Sequence, residues 1–424
     1  MNLGFLGAGV VGCGTLDLLA RRGAQITRAV GAELVVRRIA VRDPSKRRAV
    51  EIDPSLLTTD ALSILDDPEI NVVVELIGGE SPAGDYIARA LRNGKHVVTA
   101  NKEVIAKHGS ELMELANRHN VNLFFEASVG GGIPVIAVLR HDLIANEISS
   151  LRAIINGTTN FILTAMERGQ DYRSALVEAQ RLGYAEADPA NDVEGIDAAY
   201  KLAILSTLAF RSNVHPDQVA RTGITRLNPK DFQYAARMGY VVKLLAAAEV
   251  GPSGIEAWVA PTLIPASHHL ASVKGVFNAV LIDGDQIDKF MLYGRGAGAR
   301  PTASAVVADL CAVAHNVLRG VTERIELVQH DRPVIDFGET RARHYLRLQV
   351  VDRPGVLARI ARVLGENDIS IASVVQHETD ETAGVAEIVI MTHPALERRM
   401  AAALKGVGEL DVVREVSAFL RVER

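Results

Sequence analysis

"NLGFLGAGVVGCGTLDLL", residues 2–19, decides the fold of the first domain. Leu3 to Leu6 form a short apolar run of strand type. Gly7, Gly9 and Gly12 follow at GxGxxG spacing, and a helical pattern opens at about residue 10. Three glycines so placed permit a tight turn, close approach of backbone to a pyrophosphate, and helix–strand packing. The helix start then offers free N–H groups and a positive dipole end to phosphates. A lone GxGxxG is weak evidence. The strand before it and the helix after it favour dinucleotide binding over a merely tight turn.

Further along, "LVVRRIAV" (34–41), "VVVELIG" (72–78), "HVVTA" (96–100) and "NLFFEAS" (122–128) also read as strands. They are β-branched-rich or continuously apolar, as strands buried on both faces are. Helical stretches such as "SPAGDYIARALRNG" lie between them. This alternation predicts an α/β fold, a Rossmann-type doubly wound parallel sheet, over residues 1–134. The second strand ends in Arg42, Asp43 and, shortly after, Lys46. An acid here binds a ribose 2′-hydroxyl and an arginine accommodates a 2′-phosphate. The order leans to NADP, with NAD use open. In the bland alternative Asp43 caps a turn before Pro44 and Arg42 is solvated.

Residues 135–293 mix helical segments with strand-like runs at 151–156, 240–250, 255–263 and 276–283. This predicts an α+β domain carrying substrate-binding, catalytic and dimerisation surfaces. A glycine-rich turn and a long small-residue helix (294–320) are expected to return and pack on the first domain. Residues 321–343 read as a linker. Residues 344–424 form a self-contained βαββαβ pattern, the ferredoxin-like plan.

Composition limits the function. The 424 residues carry 46 Lys plus Arg against 51 Asp plus Glu, a net charge of -5, and only 4% aromatics. That gives no electrostatic or stacking basis for nucleic acid as a partner. Two cysteines, Cys13 and Cys311, are too few for a disulfide framework or a thiolate metal site. No apolar run is expected to span a membrane, so a cytoplasmic protein is the default.

Two lysines and a group of acids carry the chemistry. Lys102 in "VVTANKEVIA" falls just after a strand, where open parallel sheets line their ligand crevice. A solvated helix-start lysine is the alternative. "FEASVGGGIP" (125–134) holds three consecutive glycines, which expose carbonyls to substrate or a hard cation, or make a hinge. In "GYAEADPANDVEGIDAAYKLAIL" (183–205), five carboxylates precede Lys201, the only charge between residues 198 and 210. A surface Asp197–Lys201 pair is worth ~0.2–0.5 kcal/mol and fits poorly on so apolar a helix. A buried ammonium is costly unless paired, and opposing desolvation and carboxylate effects suit a proton donor near neutral pH. Residue chemistry leaves a structural buried pair and a catalytic lysine both open.

Taken together, "GFLGAGVVG", "VVELIGG", "VVTANK", "EASVGGGIP", "INGTTNFIL", "GYAEADPANDVEGIDAAYKLAIL", "PTLIP…HLASVKGVFNAV" and "GRGAG" closely resemble the bacterial monofunctional homoserine dehydrogenase family. The resemblance covers residues 1 to about 325. "VVDRPGVLARIARVLGENDISI" resembles an ACT domain, a regulatory module that often binds amino acids. The resemblance implies NAD(P)-dependent interconversion of L-homoserine and L-aspartate 4-semialdehyde. It implies Lys201 as proton donor and Lys102 as a second lysine near nicotinamide and substrate. Glu186 and Asp197, with Asp192 and Gly183 nearby, match substrate positions. Gly7, Gly9, Val10, Val11, Gly12, Arg42, Ile77, Gly78, Thr99, Ala100, Lys102 and Gly298 match cofactor positions. Glu126, Val129, Gly131 and Ile133 match a monovalent cation site, usually sodium. Asp352, Pro354, Gly355, Val356 and Leu357 match the ACT ligand loop, with threonine as expected inhibitor and a homodimer or homotetramer as expected assembly. One departure is His268-His269-Leu-Ala, where the family usually has His-Pro-Leu-Ala. The competing readings are another amino-acid semialdehyde oxidoreductase and a nucleotide- or amino-acid-sensing regulator.

Overall fold

The apolar strand Asn2–Leu6 sits inside a parallel six-stranded sheet, flanked by Val35–Ala40 and Val72–Glu75. Leu57–Thr58 lies outside the first neighbour, and His96–Thr99 and Leu123–Phe124 extend the other side. In chain order this is 3-2-1-4-5-6, the doubly wound arrangement that the strand–helix alternation predicts. These observations come from a computed structural model that describes residues 1–324, 326–377 and 384–423. The chain divides into two units. Met1–Ser149, Tyr200–Asp217 and Phe277–Arg332 form one; Ser150–Ala199, Gln218–Val276 and Pro333–Arg424 form the other.

In the first unit the expected strand at 122–128 is cut to Leu123–Phe124. The chain turns into a 3-10 helix at Glu126–Ser128, closed by the Ser128 hydroxyl donating to the Phe125 carbonyl at 2.6 Å. The helix Val10–Val30 follows the glycine turn. The helix Ala299–Leu318 packs on it closely enough that a Cβ on Gly14 would lie 2.8 Å from the Ala299 carbonyl oxygen. Val306, Leu310 and Val313 thereby join Leu3, Phe5, Val72 and Val74 in one core. By length and composition alone Ala299–Leu318 could cross a membrane, but Val306, Leu310 and Val313 on it are buried in this protein core. Ahead of it lies a strand absent from the sequence reading, Asp288–Arg295, paired with Phe277–Gly284.

The second unit is built on a sheet. Ile148–Ile154 pairs with Tyr240–Gly251, which pairs with Gly254–Pro265. The C-terminal βαββαβ order is as read, with strands Arg341–Val351, Ile371–His377, Val385–Thr392 and Val413–Val422 and helices Val356–Glu366 and Glu397–Gly408. Leu346, Leu348, Ile360, Leu364, Met400 and Val407 give it a core of its own. Its sheet, however, is not separate. The final strand pairs in parallel with Gly254–Pro265, Thr262 opposite Arg421 and Leu263 opposite Val422. A buried ion cluster adds to this seam: Arg347 donates to Asp231 at 2.7 Å and to Glu387 at 2.9 Å. The Arg347 guanidinium is held well above its ordinary range by the two carboxylates, against the cost of burial.

Candidate active site

The glycine turn has the form of a phosphate cradle. Gly7 takes φ +104°, and a Cβ there would lie 2.8 Å from the Leu76 carbonyl oxygen. A Cβ on Gly12 would lie 2.6 Å from the Gly7 carbonyl oxygen, so both positions exclude side chains. Gly9, by contrast, faces open space and caps the helix without a side chain to occupy its first N–H groups. Val10 is exposed, and Val11 and Gly12 follow it in the first turn. These residues fit a dinucleotide's pyrophosphate. A second helix start lies nearby: Gly298, at φ +118°, caps Ala299–Leu318 with no side-chain bond.

At the end of Val35–Ala40, the Asp43 carboxylate accepts from the Ser45 amide at 2.8 Å and the Ser45 hydroxyl at 2.6 Å. Those bonds hold its carboxyl below the usual range. The capping alternative for Asp43 is therefore the observed one. Arg42 and Lys46 are exposed beside it, and Arg48 donates to the Asp43, Pro44 and Lys46 carbonyls.

The carboxyl ends of the central strands hold a network that sequence reasoning missed. Glu75 is fully buried and accepts from the Thr99 hydroxyl at 2.6 Å and the Ile77 amide at 2.7 Å. Burial pushes its carboxyl above the ordinary range. The Gly78 amide also points at it, at 3.4 Å, so the Ile77 and Gly78 amides are engaged by protein. Thr99 in turn accepts from the Asn101 amide at 2.9 Å. Asn101 caps the helix Lys102–Arg118 through the Val104 amide and donates to the Gly79 carbonyl at 2.7 Å. Ala100 and Lys102 thus flank a fixed asparagine, and Lys102 is half-buried at the first helical position. The same helix lies against Tyr200, whose ring has Lys107 Nζ 5.7 Å from its centroid. Lys201 is the next residue.

Lys201 is half-buried on the helix Ile196–Phe210, one turn beyond Asp197. Leu202, Ala203, Ile204 and Leu205 around it are buried, as the apolar pattern requires. Asp197 is itself buried and receives the Asn156 side-chain amide at 2.9 Å. The same nitrogen reaches Asp192 at 2.6 Å. Asn156 is fixed because its oxygen caps the helix Gly157–Glu167, accepting from the Thr159 amide at 2.8 Å. Asp192 and Asp197 are therefore brought together. Glu186 and Gly183 lie on an exposed loop, Gly183 at φ +75°, anchored by Gln180 donating to the Glu186 carbonyl at 3.0 Å. Asp188 accepts from the Ala190 amide, a turn cap.

In the glycine loop, Gly130 and Gly131 take φ +75° and +56°, and a Cβ on Gly131 would lie 2.4 Å from the Gly296 carbonyl oxygen. The Glu126 carboxylate accepts from the Ile136 and Ala137 amides at 2.9 and 2.6 Å. The Val129 amide points back at the Glu126 carbonyl, and the Ile133 carbonyl accepts from the Val135 amide. Among the described residues, no group of three or more His, Cys, Asp or Glu is placed to hold a metal ion. In the C-terminal loop, Asp352, Pro354 and Leu357 are exposed, and Gly355 caps the following helix at φ +89°. The Val356 side chain lies in the domain core, so only its backbone faces the loop.

A dinucleotide cradle in the first unit and a pair of acids held by one asparagine in the second fit one class: a nicotinamide-dependent oxidoreductase acting on a CH–OH group. Comparison with known proteins narrows the class. Residues 7–126 match the family model "Homoserine dehydrogenase, NAD binding domain", 134–311 match "Homoserine dehydrogenase", and 344–409 match "ACT domain". The homoserine dehydrogenase of Corynebacterium glutamicum is 42% identical over 100% of this chain and 96% of its own length. That of Bacillus subtilis is 40% identical, covering 100% and 98%. The crystal structure of a homoserine dehydrogenase from Thiobacillus denitrificans superposes with a TM-score of 0.93 at 45% identity, covering 100% of this chain and 98% of that one. A hyperthermophilic archaeal homoserine dehydrogenase in complex with NADPH gives 0.63 at 30% identity, covering 75% and 98%. The chain belongs to the homoserine dehydrogenase family, has its oxidoreductase function, and carries a nucleotide-binding and an ACT domain.

Proposed function

We propose that this enzyme interconverts L-homoserine and L-aspartate 4-semialdehyde, with Lys201 as the group that gives and takes the proton. One observation carries the reading: Asn156 holds Asp192 and Asp197 together one turn before Lys201. The bound dinucleotide supplies or accepts the hydride at the carbonyl carbon. Lys201 protonates the carbonyl oxygen in the reducing direction and takes that proton back in the oxidising one. Asp197, Asp192, Glu186 and Gly183 hold the substrate's ammonium and hydroxyl groups. Lys102, at a capped helix start beside the strand ends, orients the nicotinamide and the reacting carbonyl.

NADP is the proposed preferred cofactor, since Asp43 is occupied by Ser45 while Arg42 and Lys46 are exposed beside it to meet a 2′-phosphate. The backbone oxygens of Glu126, Val129, Gly131 and Ile133 are proposed to hold a monovalent cation, sodium. Asp352, Pro354, Gly355, Val356 and Leu357 are proposed as a loop for threonine acting as feedback inhibitor in threonine, methionine and isoleucine synthesis. A cytoplasmic homodimer or homotetramer is the proposed assembly. The test is hydride transfer measured with both dinucleotides, with and without sodium and threonine. Threonine inhibition that persists unchanged in a chain ending near residue 325 refutes the ACT role.

A further inference from the structure

We propose that Glu75 sets the balance between oxidised and reduced dinucleotide on this enzyme, its charge acting through space on the nicotinamide ring. Strand order places it. In the order 3-2-1-4-5-6 the sequence of strands reverses between Asn2–Leu6 and Val72–Glu75. Open sheets of this kind bind ligand at that switch point, outside the carboxyl ends of the strands. Glu75 is the last residue of its strand and stands opposite Leu6, the residue before the glycine turn. The end of Val35–Ala40 serves the adenosine ribose. The nicotinamide half of an extended dinucleotide therefore runs to the other side of the switch point, over the ends of Val72–Glu75 and His96–Thr99.

The carboxylate lies one layer beneath an open surface. Its side chain is fully buried, and the chain folds back over it, with the Ile77 and Gly78 amides reaching Oε1 at 2.7 and 3.4 Å. Gly78 and Gly79 are exposed at φ +78° and +75°, and a Cβ on either would meet nothing within 4 Å. The hydrogen bonds favour the ionised acid. Thr99 Oγ1 accepts from the Asn101 amide at 2.9 Å, so its own hydrogen is free to point at Glu75 Oε2, 2.6 Å away. Amides only donate. All three bonds are thus given to the carboxyl, and all three donors are neutral groups that leave its charge in place. Burial raises the carboxyl's pKa, and these donors oppose that rise.

A nicotinamide ring carries a positive charge when oxidised and none when reduced. A fixed negative charge beneath it favours the oxidised form, more strongly in a protein than in water. The same charge stabilises the positive charge that develops on the ring as hydride leaves. Glu75 thus favours hydride donation over its return. This role requires the dinucleotide alone and is independent of Lys201 and of the substrate acids.

Fluorescence titration of the full chain with NADP⁺ and NADPH, and with NAD⁺ and NADH, in wild type and Glu75→Gln, tests the role. Glutamine keeps the size and removes the charge. The ratio of the oxidised form's Kd to the reduced form's should rise about tenfold or more, with the reduced form's Kd within about threefold of wild type. Glu75→Asp and Thr99→Val keep the charge and disturb the bonds, so both affinities fall together and the ratio stays within about threefold of wild type. An unchanged ratio in Glu75→Gln overturns the proposal. An equal change in Glu75→Asp or Thr99→Val also overturns it, since packing then accounts for the effect. Should Glu75→Gln fail to fold, Thr99→Val decides: a ratio near wild type upholds the charge, and a change of about tenfold refutes it.

Discussion

The side-chain amide of Asn156 lies 2.9 Å from the Asp197 carboxylate, and its nitrogen also bonds Asp192 at 2.6 Å. One neutral donor thus sits between two acids that repel each other. Replacing it with alanine removes both bonds and a helix cap, which alone is worth about 0.5–2 kcal/mol. Asn156→Ala should raise the substrate KM at least tenfold while leaving NADP affinity near the wild-type value. Steady-state kinetics with homoserine varied checks this, and an unchanged KM would show that the two acids do not hold substrate.

Lys243 predicts a pH dependence of stability. Its side chain is 2% exposed and donates to the Val273 carbonyl at 2.5 Å. Burial lowers its pKa to about 8, from 10.5, with Glu167 opposing and Lys274 adding to the shift. Below pH 8 both folded and unfolded chains carry the proton and the folded state bears the full cost of burying it. Between pH 8 and 10.5 the folded state releases the proton first, so this group's contribution becomes more favourable as pH rises. Lys243→Met should lose that slope, with a difference on the order of 3 kcal/mol across the window. Denaturant melts at pH 7, 8.5 and 10 measure it; parallel curves for the two proteins would contradict the assignment.

Arg347 ties the C-terminal domain to the helix Pro229–Arg237 through Asp231. Arg347→Met leaves the buried Asp231 without its cation, while Glu387 keeps Lys230 at 3.4 Å, and should cost about 3–5 kcal/mol. Chemical denaturation of the full chain reports that loss. A cost below about 1 kcal/mol would place the pair among ordinary surface bridges.

At the cofactor's outer end, Arg42→Ala/Lys46→Ala should raise the NADP KM at least tenfold and leave the NAD KM within about twofold, as loss of phosphate contacts alone requires. Parallel losses with both dinucleotides would point to damage of the turn.

The parallel sheet was legible because its strands are apolar on both faces and its glycines punctuate them. The strand Asp288–Arg295 was not, because five of its eight residues are exposed and its ends are charged. The run 122–128 looked like one strand, since nothing local reveals that the Glu126 amide is drawn to Asp309, 183 residues away. Lys201, Asp192 and Asp197 stood out as charges in unusual company. Asn101 and Asn156 did not: an asparagine before a helix reads as a cap, which both are, and its second bond reaches residues that only folding brings near. Glu75 was a lone acid at a strand end, and the join between Thr262 and Arg421 has no sequence signal at all.

Lys201 as proton donor is the central claim, and turnover of L-aspartate 4-semialdehyde with NADPH in Lys201→Ala tests it most directly. The wild-type chain should oxidise NADPH with this substrate. The variant should lose about 10²–10⁴ in kcat, the usual contribution of a positioned acid, and bind NADPH within about threefold of wild type. A Lys201→Ala enzyme that keeps the wild-type kcat would contradict the account.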